Sequence, residues 1–213
     1  MVNALKAVYN VYGILAVLLV LLLVASLILQ VCALQCHNLS QRLFPALDEH
    51  GYEYWMDWGT LLGARREGRM IAHDYDADIG MRESEFQRLR ADWKANPRKF
   101  KNMRLYMEDK KLARVRCGMG WVDVFRYDDS DPNTLRMISM DDESHSCKCN
   151  GAGHTVSPSL MFPLQSITFG GVTGKAPART DEYLEHLYGS DWRTPRTNGG
   201  AKFVKLVPLP RRV

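Results

Sequence analysis

The stretch YWMDWGTLLGARREGRMIAHDYDADIGM, Tyr54 to Met81, decides the fold. Together with the two preceding residues, its first part reads YEYWMDW and alternates aromatic and acidic residues with the period of two that is typical of a half-buried strand. Gly59 and Thr60 end that strand, and LLGARREG predicts a helical turn or two. The period of two returns in IAHDYDADIGM. The stretch therefore predicts a strand, a glycine turn, a helix and a second strand in quick succession.

Three aspartates occupy alternate positions of the second predicted strand: Asp74, Asp76 and Asp78. Residues two apart on a strand point to the same face, so the three carboxylates would repel and at least one would stay protonated. A divalent cation removes this repulsion, and hard oxygen ligands favour Mg²⁺ or Mn²⁺ over zinc or copper. A calcium loop or a solvated acidic strand is the alternative. However, the glycine and the closing glutamate of an EF-hand loop are missing at their expected positions.

Downstream, LARVRC, GMG and WVDVFRY predict a β-hairpin. In its second strand Trp121, Asp123 and Phe125 share one face, and an aspartate between two aromatic residues is unusual there. Residues 128–157 are polar and glycine-containing and predict a long loop of the kind that is often functional.

Two helices are predicted around this hairpin. Ser84 and Gln87 form a capping-box pattern at the start of an amphipathic helix that Pro97 ends. Near the C-terminus Thr180 is expected to cap the helix DEYLEHLY, which Gly189 closes. Helices and strands mix without a regular β-α-β alternation, so the fold class is α+β with a mixed or antiparallel sheet.

The N-terminal region is an almost unbroken apolar run from Tyr12 to Leu29, long enough to cross a bilayer. A cleaved signal peptide is the rival interpretation, since Val31-Cys32-Ala33 offers small residues, but its apolar region would be longer than usual. The predicted organisation is a cytoplasmic tail (1–11), a transmembrane signal anchor (12–35), a stem helix (36–50) and an exported domain (51–213). Removing residues 1–36 is expected to leave that domain folded.

Charge and cysteine content narrow the functional classes. The chain of 213 residues has a formal net charge of only +4, which argues against a nucleic-acid-binding protein. In an oxidising compartment, one disulfide and an odd thiol are expected among Cys117, Cys147 and Cys149. The alternative is a zinc site in HSCKCNGAGH, with His145, Cys147, Cys149 and His154 as ligands, although its spacing matches no common structural site.

The motifs GTLLG (59–63), DYDAD (74–78) and VDVF (122–125) together resemble the nucleotidyltransferase fold in its LicD and fukutin-related branch. The similarity runs from about Tyr52 to Trp192 and includes FPLQSITFGG (162–171) and YGSDW (188–192). One departure is Ala72-His73, where relatives commonly have Pro-Trp. The resemblance implies a membrane-anchored enzyme that moves a phosphorylated alcohol, such as phosphocholine or ribitol or glycerol phosphate, from a CDP donor to a glycan hydroxyl. It also implies a single-pass type II protein of the Golgi or endoplasmic reticulum membrane, with a luminal catalytic domain.

Residue by residue, the resemblance implies that Asp76, Asp78 and Asp123 are the catalytic carboxylates and, together with Asp74, the metal ligands. Backbone N–H groups at Gly59 and Thr60, which open a helix, are predicted to bind phosphate. Four arginines are candidates for bidentate contacts with the donor diphosphate: Arg65, Arg66, Arg114 and Arg116. His73 is a further candidate for substrate contact.

Two other functions stay open at this point. A luminal glycosyltransferase with a DxD motif also uses paired carboxylates and a metal, but about forty residues between the membrane and Asp74 are too few for the nucleotide-binding half of such folds. The other is a non-catalytic LicD-like partner protein. Because all three carboxylates are present, nothing in the sequence indicates that catalysis has been lost.

Overall fold

The structure, a computed structural model, describes residues 2–72, 74–107, 113–138 and 155–195. For residues 2–10 it describes the backbone only. In chain order the helices are α1 (Val2–Glu49), α2 (Trp58–Glu67), α3 (Glu83–Ala95), α4 (Pro158–Met161) and α5 (Thr180–Tyr188), with a 3₁₀ turn at Pro97–Phe100. The strands are β1 (Trp55–Met56), β2 (Ala77–Arg82), β3 (Arg104–Met107), β4 (Ala113–Cys117), β5 (Gly120–Asp131), β6 (Thr134–Met137), β7 (Thr155–Val156), β8 (Gln165–Phe169) and β9 (Val172–Ala176).

Helix α1 has two different halves. The apolar side chains of residues 11–29 are exposed all round, and the helix is long and apolar enough to cross a membrane. From Cys36 onward the same helix is buried in the domain, with Leu39, Leu43 and Leu47 fully or almost fully covered. Residues 36–50, expected to form a stem, contribute these side chains to the hydrophobic core of the domain.

The main sheet has the strand order β1-β2-β5-β4-β3, and β6 and β7 continue it from the far part of β5. Strands β2 and β5 are parallel, and the other pairs are antiparallel. This mixed sheet with packed helices confirms the predicted α+β class. A separate hairpin, β8-β9, packs against α1.

The predicted hairpin around Gly118 is confirmed, since β4 and β5 pair antiparallel from Cys117 and Gly120 onward. Two boundaries differ from the expectations. The first strand of the opening stretch is only Trp55–Met56, the two residues that pair with Gly80 and Ile79 of β2. Nearly every side chain from Tyr52 to Asp57 is buried, so the expected alternation is absent. The predicted loop 128–157 begins as β5 and β6, and its residues 139–154 lie outside the described part of the chain.

The helix caps also differ from the predictions. Arg82 is the N-cap of α3, while the Ser84 hydroxyl donates to Asp129 at 2.7 Å instead of capping the helix. Arg179 is the N-cap of α5, and the Thr180 hydroxyl donates to the carbonyl of Pro177. Both helices therefore begin one or two residues away from the expected caps. The Ser84 hydroxyl bonds to a distant residue of β5, and the Thr180 hydroxyl bonds to a carbonyl three residues earlier.

Candidate active site

The two parallel strands bring the acidic residues together. Because β2 and β5 run in the same direction, both begin at the same edge of the sheet, and Asp78 lies opposite Asp123 in the register. Asp76 directly precedes β2. One carboxylate oxygen from each of Asp76, Asp78 and Asp123 lies within 4.8 Å of the others. The structure thus gathers the three predicted catalytic carboxylates into one cluster, the acidic triad, which can hold a metal ion.

Asp74 occupies a different place from the one that the alternating pattern predicted. Strand β2 begins at Ala77, so Asp74 and Asp76 precede the strand instead of lining its face. A Cβ atom added at Gly59 would lie 2.8 Å from Oδ2 of Asp74 and 3.6 Å from Oδ2 of Asp78. Asp74 therefore adjoins the start of α2, next to the triad but not part of it. Its role as a metal ligand stays a prediction.

Burial and mutual repulsion make the triad electrostatically costly. The pKa of Asp78 is raised well above its ordinary value, mainly by burial and then by the charges of Asp76, Asp123, Asp57 and Asp74. The pKa of Asp76 is raised by burial and by Asp123. These shifts mean that the ionised triad destabilises the folded chain unless positive charge is supplied.

Part of that positive charge comes from Arg114. It lies opposite Asp123 in the β4-β5 register, and its guanidinium donates to both carboxylate oxygens, with Nε at 2.5 Å and Nη2 at 3.3 Å. Such a bidentate pair holds Asp123 in one orientation. Arg116 is two residues further along β4, on the same face, opposite Trp121. Two of the four predicted phosphate-binding arginines therefore lie on the face of the sheet that carries the triad.

The other two arginines lie at the opposite end of α2. Arg65 forms a bidentate ion pair with Asp181, at 2.6 and 3.1 Å, and Arg66 contacts the neighbouring Glu67 at 3.4 Å. Since both residues are in the last turn of a helix whose first turn adjoins the triad, they are about 10 Å away along its axis. Their predicted role in phosphate binding stays a prediction.

Gly59 and Thr60, predicted as a turn that ends the first strand, lie in the first turn of α2, which begins at Trp58. They are joined directly to β2, the strand that carries Asp78. The Thr60 hydroxyl accepts a hydrogen bond from the backbone N–H of Asp78 at 2.7 Å. A side chain at position 59 would displace the carboxylate of Asp74, which lies against the Gly59 backbone. The positive end of the α2 dipole therefore adjoins the acidic residues.

Asp57 is a site-supporting residue that the sequence analysis missed. It is fully buried, caps α2 through the N–H of Trp58 at 2.9 Å, and accepts hydrogen bonds from Tyr127 at 2.6 Å and Tyr183 at 2.8 Å. Burial raises its pKa, while these hydrogen bonds act in the opposite direction. An aspartate directly before Trp-Gly-Thr was a readable N-cap signal. The two tyrosine partners come from distant elements and had no such signal.

His73, and the possible zinc ligands His145, Cys147, Cys149 and His154, lie outside the described residues. Among the described cysteines, Cys32, Cys36 and Cys117 are free thiols. Cys36 is buried and donates to the carbonyls of Tyr75 and Trp121.

Comparison with known sequences decides the family. The sequence profile of the LicD/FKTN/FKRP nucleotidyltransferase domain matches residues 51–179, more than half of the chain. The chain belongs to the LicD/FKTN/FKRP family. This range includes the acidic triad, the Gly-Thr turn and Arg114, so the family assignment and the observed cluster coincide.

The curated relatives match shorter segments. An uncharacterised protein of Rickettsia typhi is 33% identical over 96 residues, which is 44% of this chain and 28% of that protein. Ribitol 5-phosphate transferase FKRP of Homo sapiens and that of Mus musculus are each 36% identical over 50 residues, 24% of this chain and 10% of FKRP. The chain thus spans much less than two thirds of these relatives.

Solved structures with similar chain paths are nucleotidyltransferases. The lincosamide antibiotic adenylyltransferase LnuA aligns with a TM-score of 0.42 and 14% identity, over 68% of this chain and 84% of that one. ANT(2")-Ia, solved with adenylyl-2"-tobramycin, aligns with a TM-score of 0.36 and 16% identity, over 73% and 79% of the two chains.

Proposed function

We propose that this member of the LicD/FKTN/FKRP family transfers a phosphorylated alcohol from a CDP-linked donor to a glycan hydroxyl. The observation that carries the proposal is the acidic triad, three carboxylates within 4.8 Å, inside the matched domain and beside Arg114. The family relationship to ribitol 5-phosphate transferase FKRP supports the choice of a phosphorylated alcohol as the transferred group.

The residues of the triad suit Mg²⁺ or Mn²⁺, because they offer hard carboxylate oxygens whose mutual repulsion a divalent cation offsets. When bound, such an ion supplies charge neutralisation for the diphosphate and lowers the pKa of a coordinated hydroxyl. Asp76, Asp78 and Asp123 would hold it.

Two arginines, the start of α2 and one carboxylate of the triad supply the remaining chemistry. Arg114 and Arg116 are placed to bind phosphate oxygens, and the start of α2 at Gly59 and Thr60 adds a positive dipole. The acceptor oxygen forms a bond to the phosphorus that carries the alcohol, and the bond from that phosphorus to CMP breaks. CMP leaves with the electron pair, and the acceptor proton passes to a carboxylate of the triad, for which Asp123 is the candidate.

We further propose that α1 anchors the domain in a membrane. Residues 11–31 extend over about 30 Å at 1.5 Å per residue, which matches the hydrocarbon thickness of a bilayer. Their apolar side chains are exposed, as expected for a segment that lipid covers. A type II orientation with a luminal domain, in the Golgi or endoplasmic reticulum, fits a glycan acceptor.

The test is donor turnover by the purified full-length chain. Release of CMP from CDP-choline, CDP-ribitol and CDP-glycerol is measured with Mg²⁺ or Mn²⁺, beside release of UDP from UDP-sugars. CMP release that Asp76→Asn abolishes supports the proposal. UDP release instead would indicate a glycosyltransferase, and absence of turnover with every donor and cellular acceptor fraction would indicate a non-catalytic partner.

A further inference from the structure

The acidic triad lies at the end of the domain that is nearest to the apolar half of α1. The Cys36 thiol is 2.9 Å from the carbonyl of Tyr75, which precedes Asp76, and 3.2 Å from the carbonyl of Trp121, two residues before Asp123. Gln35 accepts a hydrogen bond from the N–H of Met119 at 2.6 Å. The backbone segments that lead into Asp76 and Asp123 are therefore hydrogen-bonded to α1 at residues 35 and 36.

The strands that carry the triad run away from this attachment. Strand β2 begins after Tyr75, beside Cys36, and its last residue, Arg82, forms an ion pair with Glu53 at 3.0 Å. The residue before Glu53, Tyr52, donates its backbone N–H to the carbonyl of Leu47. Thus β2 follows α1 from residue 36 towards residue 47, and its carboxylate-bearing start is the end nearer to residues 11–31.

The height of the site above a membrane follows from the helix rise. If residues 12–31 cross the hydrocarbon, Cys36 lies five residues further, about 7.5 Å beyond the hydrocarbon boundary. The headgroup layer on each side is about 5–7 Å thick. Because α1 continues unbroken to Glu49 and its second half is packed in the core, the domain cannot lift away from this height by bending a linker.

The surface at this end has the composition of a membrane interface. We define the membrane-proximal face by Leu34, Tyr75, Tyr106 and Met119, each with more than 40% of its surface exposed. Tyr75 and Met119 adjoin residues 35 and 36 of α1, and Tyr106 on β3 is level with Arg114 and Asp123 across the sheet. Exposed Arg104 and Arg116, paired in register, add positive charge that suits phosphate headgroups.

We propose that the membrane-proximal face lies in the headgroup layer of the bilayer and that the acceptor glycan is carried by a membrane lipid. The second half of this inference rests on the proposed function. A triad held this close to the hydrocarbon faces the first sugars of a glycolipid directly. A glycan far out on a glycoprotein would have to enter between the domain and the bilayer.

The position of the face is tested by photo-crosslinking in the full-length chain, reconstituted in vesicles that contain radiolabelled phospholipid. p-Benzoylphenylalanine replaces Met119 in one variant and Asp131, at the opposite end of β5, in its matched control. A third variant, with the probe at Leu34, reports correct reconstitution. Label is expected on the Met119 and Leu34 variants and at least tenfold less on the Asp131 variant. Label at Leu34 without label at Met119 would overturn the placement.

The acceptor is tested separately, with the same reconstituted chain and a labelled CDP-alcohol donor. Three probes are compared: the total glycolipid fraction of the source membranes, the oligosaccharides released from that fraction by mild acid, and the glycoprotein fraction. Transfer to the glycolipids is expected to be at least tenfold faster than to the released oligosaccharides. Equal rates, or preference for glycoprotein, would overturn the lipid acceptor while leaving the transferase proposal intact. Transfer to none of them would contradict the proposed function, and the crosslinking result would still decide the placement of the face.

Discussion

Asp78 and Asp123 lie directly opposite each other on the parallel strands β2 and β5. Asp123 is buried, and with Asp76 the two residues form a cluster of negative charge. Arg114 supplies positive charge to this cluster through a direct ion pair with Asp123. In the proposed mechanism this pairing links the stability of the folded chain to metal binding and catalysis.

Asp78→Asn keeps the size of the side chain and removes its charge. In metal-free buffer we expect a higher melting temperature, because repulsion from Asp76 and Asp123 is removed. Mn²⁺ is expected to raise the melting temperature of the unmodified chain, and this rise should be absent in the variant. Turnover should fall by about a hundredfold or more. Melting curves with and without Mn²⁺, beside CMP-release rates, measure both effects.

The control for this variant is Asp131→Asn, which changes an exposed aspartate at the end of β5. Its Oδ1 accepts the backbone N–H of Asn133 at 2.9 Å, and the amide oxygen of asparagine retains that acceptor. Asp92, which the helical pattern places on an exposed face, is not neutral, since it accepts hydrogen bonds from Tyr52 and Lys99. Near-normal turnover in Asp78→Asn would contradict the assignment of the triad.

The triad also gives the metal-free chain a defined dependence on pH. The folded-state pKa of Asp78 is raised, so the folded chain binds more protons than the unfolded one between the two pKa values. The free energy of unfolding contributed by Asp78 therefore increases as pH falls from 7 towards the unfolded value near 4. Ion-paired carboxylates such as Asp181 act in the opposite direction. The measurement is thus the difference in urea midpoint between the unmodified chain and Asp78→Asn, which should shrink as pH falls. A difference that grows on acidification would be inconsistent with a raised pKa.

Arg114→Ala leaves Asp123 without its bidentate partner in a site that is already negative. We expect the metal-free chain to lose about 1–3 kcal/mol of stability. Saturating Mn²⁺ should recover part of that loss, because it supplies positive charge to the same carboxylates. The matched control is Arg116→Ala, on the same strand. An equal loss of stability in both variants would indicate that the Arg114–Asp123 ion pair does not itself stabilise the fold.

Thr60→Val removes the oxygen that accepts the N–H of Asp78, with little change in side-chain shape. The unsatisfied N–H should cost about 1–3 kcal/mol and loosen the connection between α2 and β2. Thr60→Ser retains the oxygen and should behave almost like the unmodified chain. Urea unfolding and the metal-induced change in melting temperature are compared for the two variants; identical results would exclude this role for the hydroxyl.

Truncation separates the anchor from the core. A chain that begins at residue 30 should stay folded, because it keeps Gln35 and Cys36 and their bonds to Met119, Tyr75 and Trp121. Removal of residues 1–36, expected from the sequence to be harmless, should cost about 2–4 kcal/mol, since buried contacts and hydrogen bonds are lost. Denaturant midpoints of the two chains measure the difference. Equal midpoints would contradict the structural role of residues 30–36.

Local patterns in the sequence were enough to predict much of this molecule. The apolar run, the helix that follows the first strand and the β4-β5 hairpin all depend on the spacing of neighbouring residues. Helical and strand periods, turn residues and carboxylate spacing are local properties, and they were readable without knowledge of the fold.

Other features depend on which distant segments pack together. The parallel register that sets Asp78 beside Asp123, the pairing of Arg114 with Asp123, and the contacts of Asp57 with Tyr127 and Tyr183 join residues that no short-range pattern connects. The same holds for the second half of α1, which the sequence presents as a stem and the structure buries in the core. Register and burial minimise the exposed apolar surface and the unpaired polar groups of the whole chain, so only the tertiary structure could decide them.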